Sequence, residues 1–375
     1  MKHNPKILKI LGKMQEKGVR VDQELLAKRK GQATVRAETL KDKIFAQVGI
    51  FNVNSPAQVA GILFDKLQLP PIKKGEQGWS VDDEVLKVLV EGGCEIAKDL
   101  RCYRREDSLI ESCREIEKNL DEDGISHPEY SLDSITGRVY YCKPAIHKVP
   151  KELKELIIPR KGNVFILADY KQIDVRIIAH FSEDRNLIET FRRDGDIYET
   201  TMDELGLANR NLAKEICLSI CYGRGCLSLS KILEISQVEA RKLKDKFFEK
   251  YRGVTNFIDD TMNDASTLGY VRTLGEREIE VDPSLSKPEI RKKAIARKIQ
   301  GSTADLVIGN AMVDVHEAIQ PWDSDLVLQV HDELMIEAPI EAERYVKGTV
   351  KEKMEHAVQL NVPLKVDIAI SKSWG

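Results

Sequence analysis

The chain has 375 residues, 42% of them hydrophobic, with 58 Lys and Arg against 61 Asp and Glu and a net charge of −3. That length suits one large core or two to three coupled subdomains of an ordinary globular protein. It holds no apolar run near the roughly 20 residues that a bilayer crossing needs, so no membrane partner is expected, and the acidic balance alone does not announce a nucleic-acid binder.

In chain order, Ile7, Leu8, Ile10, Leu11 and Met14 form one apolar stripe and predict a first helix. The surrounding stretch is basic and acid-poor, which also suits an organellar presequence, but it lacks a secretory signal's apolar run and cleavage site. A cytoplasmic, intracellular protein is expected, in a host, phage or plasmid setting. Over residues 22–48, Leu25, Leu26, Val35, Leu40, Ile44 and Phe45 recur at helical intervals and predict a long, partly exposed helix. Residues 52–67 read as a turn and then a helix, with Asn54 or Ser55 as N-cap and Pro56 at its first position. A further helical stretch covers about 81–120. Residues 124–150, with His127-Pro128 and Thr136-Gly137 as turn signals, predict loops and short strands. Residues 164–169 read as a buried strand, and helices follow over about 182–267 and 287–319. Strands are predicted at 326–330 and 334–337, then a helix and a closing strand near 364–370. No internal repeat or low-complexity linker interrupts the chain, which favours one interlocked unit.

None of the seven cysteines has C-x-x-C spacing, and Cys217, Cys221 and Cys226 read as small buried hydrophobes on a helix. Basic residues gather in two segments: Lys28, Arg29, Lys30, Arg36, Lys41 and Lys43, then Lys287, Arg291, Lys292, Lys293, Arg297 and Lys298. Either cluster alone suits a solvated helix face.

Three constellations carry chemistry. In VFILADYKQIDVR a hydrophobic strand ends at Asp169, and a carboxylate there is costly unless a cation or hydrogen bonds compensate it. In LVLQVHDELMIEAP, Asp332 and Glu333 sit at a strand–strand tip. Acidic hairpin turns are commonplace, yet carboxylates from two strand ends are also what a pair of magnesium ions needs. In NRNLAKEICLSICYGRG, Arg210, Lys214, Leu218 and Tyr222 recur every four residues on one helix face, with Arg210 in the first turn where backbone N–H groups already favour an anion. Such a face suits a triphosphate, and taken alone it also suits a surface helix with two cations.

Residues 169–176, 210–223 and 329–333 resemble, in order, the three polymerase motifs of family A DNA polymerases, the bacterial DNA polymerase I type. GVRVD at 18–22, NSPAQ at 54–58, Tyr103-Arg104, Thr136-Gly137-Arg138, Gly269-Tyr270-Val271, Thr273-Leu274-Gly275, Gln300-Gly301 and Ala304-Asp305 extend the resemblance nearly end to end. It implies a mixed, helix-rich α/β chain in a right-hand polymerase fold, with an antiparallel palm sheet and helical fingers and thumb. The implied divisions are a thumb with N-terminal helices at 1–128, palm at 129–190, fingers at 191–310 and palm again at 311–375. By resemblance, Asp169 and Asp332 would bind two magnesium ions, for which manganese could stand in. The carbonyl of Tyr170 would add a ligand, and Glu333 would support the site. Arg210 and Lys214 would hold the triphosphate, with Lys214 a proton donor to pyrophosphate. Leu218, Tyr222 and Asp174 would line the nucleotide pocket. Arg138, Gln300, His331 and Gln329 would contact DNA, and Arg176 would do so while helping to order the site.

The resemblance further implies a monomer that extends a primer on template DNA with dNTPs, open to replication or repair accessory proteins. Because the sequence begins in the thumb, no proofreading is expected. Departures from the family pattern bear on selectivity. Asp174 replaces a usual glutamate, Leu218 an aromatic, Tyr198 a common histidine, and Ala296 and Lys292 a common asparagine and arginine. Glu215 stands at a usually uncharged position, and the segment 196–210 is short. Asp174, one methylene shorter, should leave a gap beside Tyr222 and relax ribonucleotide exclusion. Two other readings remain: a catalytically weak DNA-binding accessory protein, and an RNA-synthesising relative.

Overall fold

The computed structural model describes residues 4–75 and 78–375, which leaves the first three residues of the basic N-terminal stretch outside the described part. The chain divides into two compact units. One comprises Arg20–His127, Lys148–Ile158 and Ser373–Gly375. Its main helix, Gln23–Val48, starts where the Asp22 side chain accepts the Leu25 amide, and ends at Gly49, whose φ of 80° a side chain would resist. It packs on the helix Glu95–Lys118, burying Leu26, Ala33, Ala37, Ile44 and Val48 against a core that includes Ala97, Leu100 and Ile110. Val35, expected in the apolar stripe, is 63% exposed. Ala33 and Ala37, one turn apart, occupy the buried face instead, and Val35, midway between them, points away.

The stretch 81–120 is two helices, Asp83–Glu91 and Glu95–Lys118, parted at Gly92-Gly93. Ser55 is the N-cap of Pro56–Ala60, which widens into the π-helical turn Gly61–Lys66. One feature escaped the sequence reading: Arg20 and Val21 pair with Ile158 and Ile157. Trp374 closes that edge, its amide donating to the Ile157 carbonyl at 2.9 Å and its ring lying 4.1 Å from the Lys154 ammonium.

The other unit comprises Met1–Val19, Pro128–His147 and Pro159–Lys372. At its centre is an antiparallel four-stranded sheet in the order Asp325–Val330, Glu333–Pro339, Asn163–Tyr170, Val366–Ser371. The central strand Asn163–Tyr170 is covered on both faces, hence its near-continuous apolar run. The helix Glu343–Glu355 lies on one face, where the Tyr170 hydroxyl donates to the Met354 carbonyl at 2.7 Å. The first helix, Pro5–Lys17, packs on the strand Asp325–Val330 through Ile7, Ile10, Leu11 and Met14, with Leu8 left 39% exposed.

The expected helical run 182–267 resolves into Arg185–Arg192, Ile197–Leu205, Arg210–Cys221, Cys226–Leu233, Gln237–Lys250 and Arg252–Leu268. Cys217 and Cys221 are buried among them. The expected run 287–319 is the helix Lys287–Ala304, a π-helical segment Asp305–Ala311 and the helix Met312–Ile319. A hairpin, Tyr270–Arg272 with Glu278–Glu280, precedes it and was not foreseen as strand.

Candidate active site

Sheet register gathers the acids. Asp169 lies opposite Glu333 on one neighbouring strand and Asp367 on the other, and directly opposed residues of an antiparallel pair project to the same face. The turn between Asp325–Val330 and Glu333–Pro339 brings Asp332 alongside, its carbonyl 3.4 Å from the Tyr170 amide. The Asp169 carboxyl is pushed up to about 7, first by burial and then by the field of Asp332, Glu333 and Asp367, against the pull of Lys214. Burial, followed by the charge of Asp174, pushes Asp332 up as well.

No group of three or more His, Cys, Asp or Glu side chains forms a metal cage among the described residues. Two carboxylates opening on a cleft are instead the donor set magnesium favours, because it keeps water and substrate phosphate in its remaining positions. Tyr170 buries its ring, which leaves its backbone to line that cleft.

The cleft, about 410 Å³, is lined by Asp169, Tyr170, Asp174 and Asp332 from the sheet side and by Asp196, Tyr198, Arg210, Lys214 and Leu218 from the helices. The helix Arg210–Cys221 is capped by Asn209, which accepts the Leu212 amide at 2.9 Å, and it presents Arg210 and Lys214 on its exposed face. Leu218 is half-buried one turn further along. The helix ends at Tyr222, and Gly223 follows with φ 73°. A Cβ there would come within 2.8 Å of the end of the Ile295 side chain, and the positive φ itself favours glycine.

Asp174 and Tyr222 do meet, and the expected gap between them is absent. The Tyr222 hydroxyl donates to Asp174 Oδ2 at 2.6 Å, and the Thr303 hydroxyl lies 3.0 Å from Oδ1. The phenol reaches the shorter carboxylate directly, and Thr303 holds its other oxygen. Burial and the Asp174 charge push the Tyr222 phenol upward, so it stays protonated as a donor.

The expected DNA-contacting residues divide. Arg138 and His331 share a small cleft with Tyr140 and His147, and Arg138 Nε is buried without a hydrogen-bond acceptor among the described residues. Gln300 is half-buried on the helix Lys287–Ala304. Two others are enclosed by the chain. Gln329 is buried and its amide donates to the His331 carbonyl at 2.7 Å, so it shapes the turn that carries Asp332. Arg176 is also buried. It donates to the carbonyls of Lys171, at 2.8 Å, and of Pro363, and it stacks 4.4 Å from the Phe191 ring, contacts that suit the ordering role expected of it.

Sequence reasoning missed Thr303, Asp367 and the role of Asp196. Thr303 gave no signal, because its contact with Asp174 spans 129 residues. Asp367 is a lone acid in an alternating strand. Asp196, just ahead of Ile197 and Tyr198, had the look of an N-cap.

Residues 23–375 match the sequence pattern of DNA polymerase family A. The chain is 34% identical to DNA polymerase I of Caldicellulosiruptor bescii, over 98% of its own length and 46% of that protein's. It is 33% identical to DNA polymerase I of Bacillus subtilis, over 97% of its length and 44% of the relative's. It thus spans less than half of these relatives. Among solved structures it is similar to the polymerase domain of Pol1 from M. smegmatis in complex with DNA primer-template and dNTP. That match has a TM-score of 0.94 and 26% identity, over 98% of this chain and 69% of that one.

Proposed function

The chain belongs to DNA polymerase family A, and we propose on that footing that it extends a primer 3′ end with dNTPs on a DNA template by two-metal nucleotidyl transfer. The observation that carries the reading is the single cleft in which like-charged acids, Asp169 and Asp332, face two cations on one helix, Arg210 and Lys214. Mutually repelling carboxylates fit a site that takes divalent cations, and a cationic helix face fits the triphosphate.

Asp169, Asp332 and the Tyr170 carbonyl would hold the two ions, with Glu333 supporting Asp169 from the adjacent strand. Magnesium bound there would favour ionisation of the primer 3′-hydroxyl and neutralise the departing pyrophosphate. Arg210 would orient the phosphates, and Lys214 would donate a proton as pyrophosphate leaves. Arg138, His331 and Gln300 would meet the primer–template, Arg138 with the donor that lacks an acceptor here. The sheet unit would supply palm and fingers, and the unit Arg20–His127 the thumb. Asp174, held back by Tyr222 and Thr303, would exclude ribonucleotides less stringently than a longer acid, and this chain by itself would leave a mismatched primer end in place.

Primer extension with magnesium tests the proposal, using dNTPs and rNTPs on DNA and RNA templates. Extension with dNTPs on DNA is expected, together with its loss on Asp169→Ala or Asp332→Ala. Robust extension by either folded variant would remove the site assignment. DNA binding without extension would favour the accessory-protein reading, and preference for rNTPs the RNA-synthesising one.

A further inference from the structure

The two cations of the cleft are not equivalent. Arg210 is already occupied: its Nε and Nη2 donate to Asp196 Oδ2 at 3.0 and 2.5 Å. Among the described residues Lys214 makes no ion pair; its ammonium lies 5.9 Å from the Tyr198 ring, and the Arg210 guanidinium lies 5.2 Å from the same ring. Asp196 does not depend on Arg210 for its position. Its Oδ1 accepts the amides of Tyr198 and Glu199, at 2.7 and 3.2 Å, as the N-cap of the helix Ile197–Leu205. One oxygen is therefore committed to a helix terminus and the other is aimed at the guanidinium that would grip phosphate. Tyr198 is buried beneath both cations, so a guanidinium leaving Asp196 keeps an aromatic surface to rest on.

We propose that Asp196 competes with the nucleotide's phosphates for Arg210: it holds the guanidinium before nucleotide arrives, yields it to the triphosphate, and takes it back as pyrophosphate departs. This rests on the polymerase reading of the same cleft. A polyphosphate displaces a single carboxylate because it brings more charge and more acceptor oxygens to the same fork of N–H donors. The competition weakens nucleotide binding and hastens release of pyrophosphate, since the guanidinium always has a partner to return to.

The test is calorimetric titration of the whole chain, without metal, with inorganic tripolyphosphate. It is paired with pyrophosphate inhibition of primer extension. Asp196→Asn keeps a good N-cap but loses the charge. It should bind tripolyphosphate about two- to fivefold more tightly, the range a partly exposed ion pair supports, and be inhibited at correspondingly lower pyrophosphate. Asp196→Ala, which also loses the cap, should share the tighter binding even if it melts earlier. Asp367→Asn removes a carboxylate from the same cleft that does not touch Arg210, and should tighten binding less than half as much.

Unchanged or weaker binding by Asp196→Asn overturns the proposal. So does equal tightening by Asp367→Asn, which also frees Lys171 from its 2.9 Å ion pair and would assign the effect to the general charge balance of the cleft. If the wild type binds tripolyphosphate but extends no primer, the polymerase reading falls and the competition stands. If it extends primers and Asp196→Asn behaves identically, only the competition falls.

Discussion

Along the helix Gln23–Val48, Arg29, Lys30, Arg36 and Lys43 each face an acid: Glu155, Glu117, Glu106 and Asp99. At the end of the four-stranded sheet, Asp169 faces Glu333 and Asp367 across the strands and feels Asp332 beside them. The first arrangement satisfies charge within the chain. In the second, Asp367 pairs with Lys171 at 2.9 Å, while burial and neighbouring acids push the Asp169 and Asp332 carboxyls upward, a cost that a bound cation would offset. The comparison also corrects the meaning of a basic cluster: four of six cations that looked available in sequence are engaged by neighbouring carboxylates.

The sharpest way to break this contrast is to separate stability from activity. Leu100→Ala, at a fully buried position of the helical unit, should cost about 3 kcal/mol in urea or thermal melts while leaving extension measurable below its transition. Asp169→Asn should abolish extension yet leave the metal-free chain at least as stable as wild type at pH 8. A variant Asp169→Asn that melts as early as Leu100→Ala would make the carboxylate structural.

Two acids should carry opposite pH signatures. Asp169 is held at about 7 in the folded chain against roughly 3.9 unfolded. Between those values the folded state binds the extra proton, so stability should fall as pH rises from about 4 to about 7 and level off above. In the helical unit, the Val85 amide, then Lys73 and Ser80, lower Asp82 to about 2. Its contribution is present above about 4 and is lost as pH falls toward 2. Metal-free melts across pH should show Asp169→Asn flattening the upper limb and Asp82→Ala the lower. The reverse pattern would contradict both assignments. Extension at limiting magnesium should also decline as pH drops through about 7, because the proton and the metal compete for Asp169.

Local signals explain what the sequence disclosed. The strand ending at Asp169, the turn at Asp332 and the four-residue rhythm of Arg210, Lys214, Leu218 and Tyr222 are all read from short spacings; the structure brings Asp169, Asp332, Arg210, Lys214 and Leu218 to one cleft, and Tyr222 meets its lining residue Asp174. The strand pairing of Arg20 with Ile158 and the contact of Thr303 with Asp174 depend on residues 138 and 129 positions apart, which no local period encodes. The burial of Arg176 and Gln329 was hidden for a related reason: a polar side chain in a functional motif does not announce whether it faces solvent or the backbone that it holds. Val35 misled because alanines carried the buried face.

The paired and unpaired cations should also differ toward DNA. Lys287, Lys292 and Lys293 are exposed on one helix, whereas Arg29, Lys30, Arg36 and Lys43 already have acidic partners. Neutralising the three lysines should reduce the slope of log affinity against log salt by about 2–3, close to one for each DNA phosphate that no longer meets a cation. Neutralising the four paired residues should reduce it less. Equal changes in binding titrations would mean that ion pairing within the chain does not withhold those cations from the duplex.

The smallest effect concerns the sugar, where the cleft itself is partly satisfied from within. Asp174 already has both oxygens engaged, by the Tyr222 hydroxyl at 2.6 Å and by Thr303 at 3.0 Å. A missing methylene beside a substrate typically changes discrimination by about 1–3 kcal/mol, or roughly 10- to 200-fold. Here the phenol has closed on the shorter acid, so part of that difference is recovered, and Asp174→Glu should raise dNTP over rNTP selectivity by only about tenfold. The longer acid would have to push Tyr222 or Thr303 aside, and Thr303 is the less yielding because its hydroxyl also lies 3.1 Å from the Ile299 carbonyl of its own helix. Thr303→Ala should therefore make room for the glutamate, and the double variant should select against rNTPs more strongly than Asp174→Glu alone. Single-nucleotide incorporation kinetics for the four proteins decide it. Selectivity that does not move in Asp174→Glu, with or without Thr303, would mean that another group meets the ribose hydroxyl.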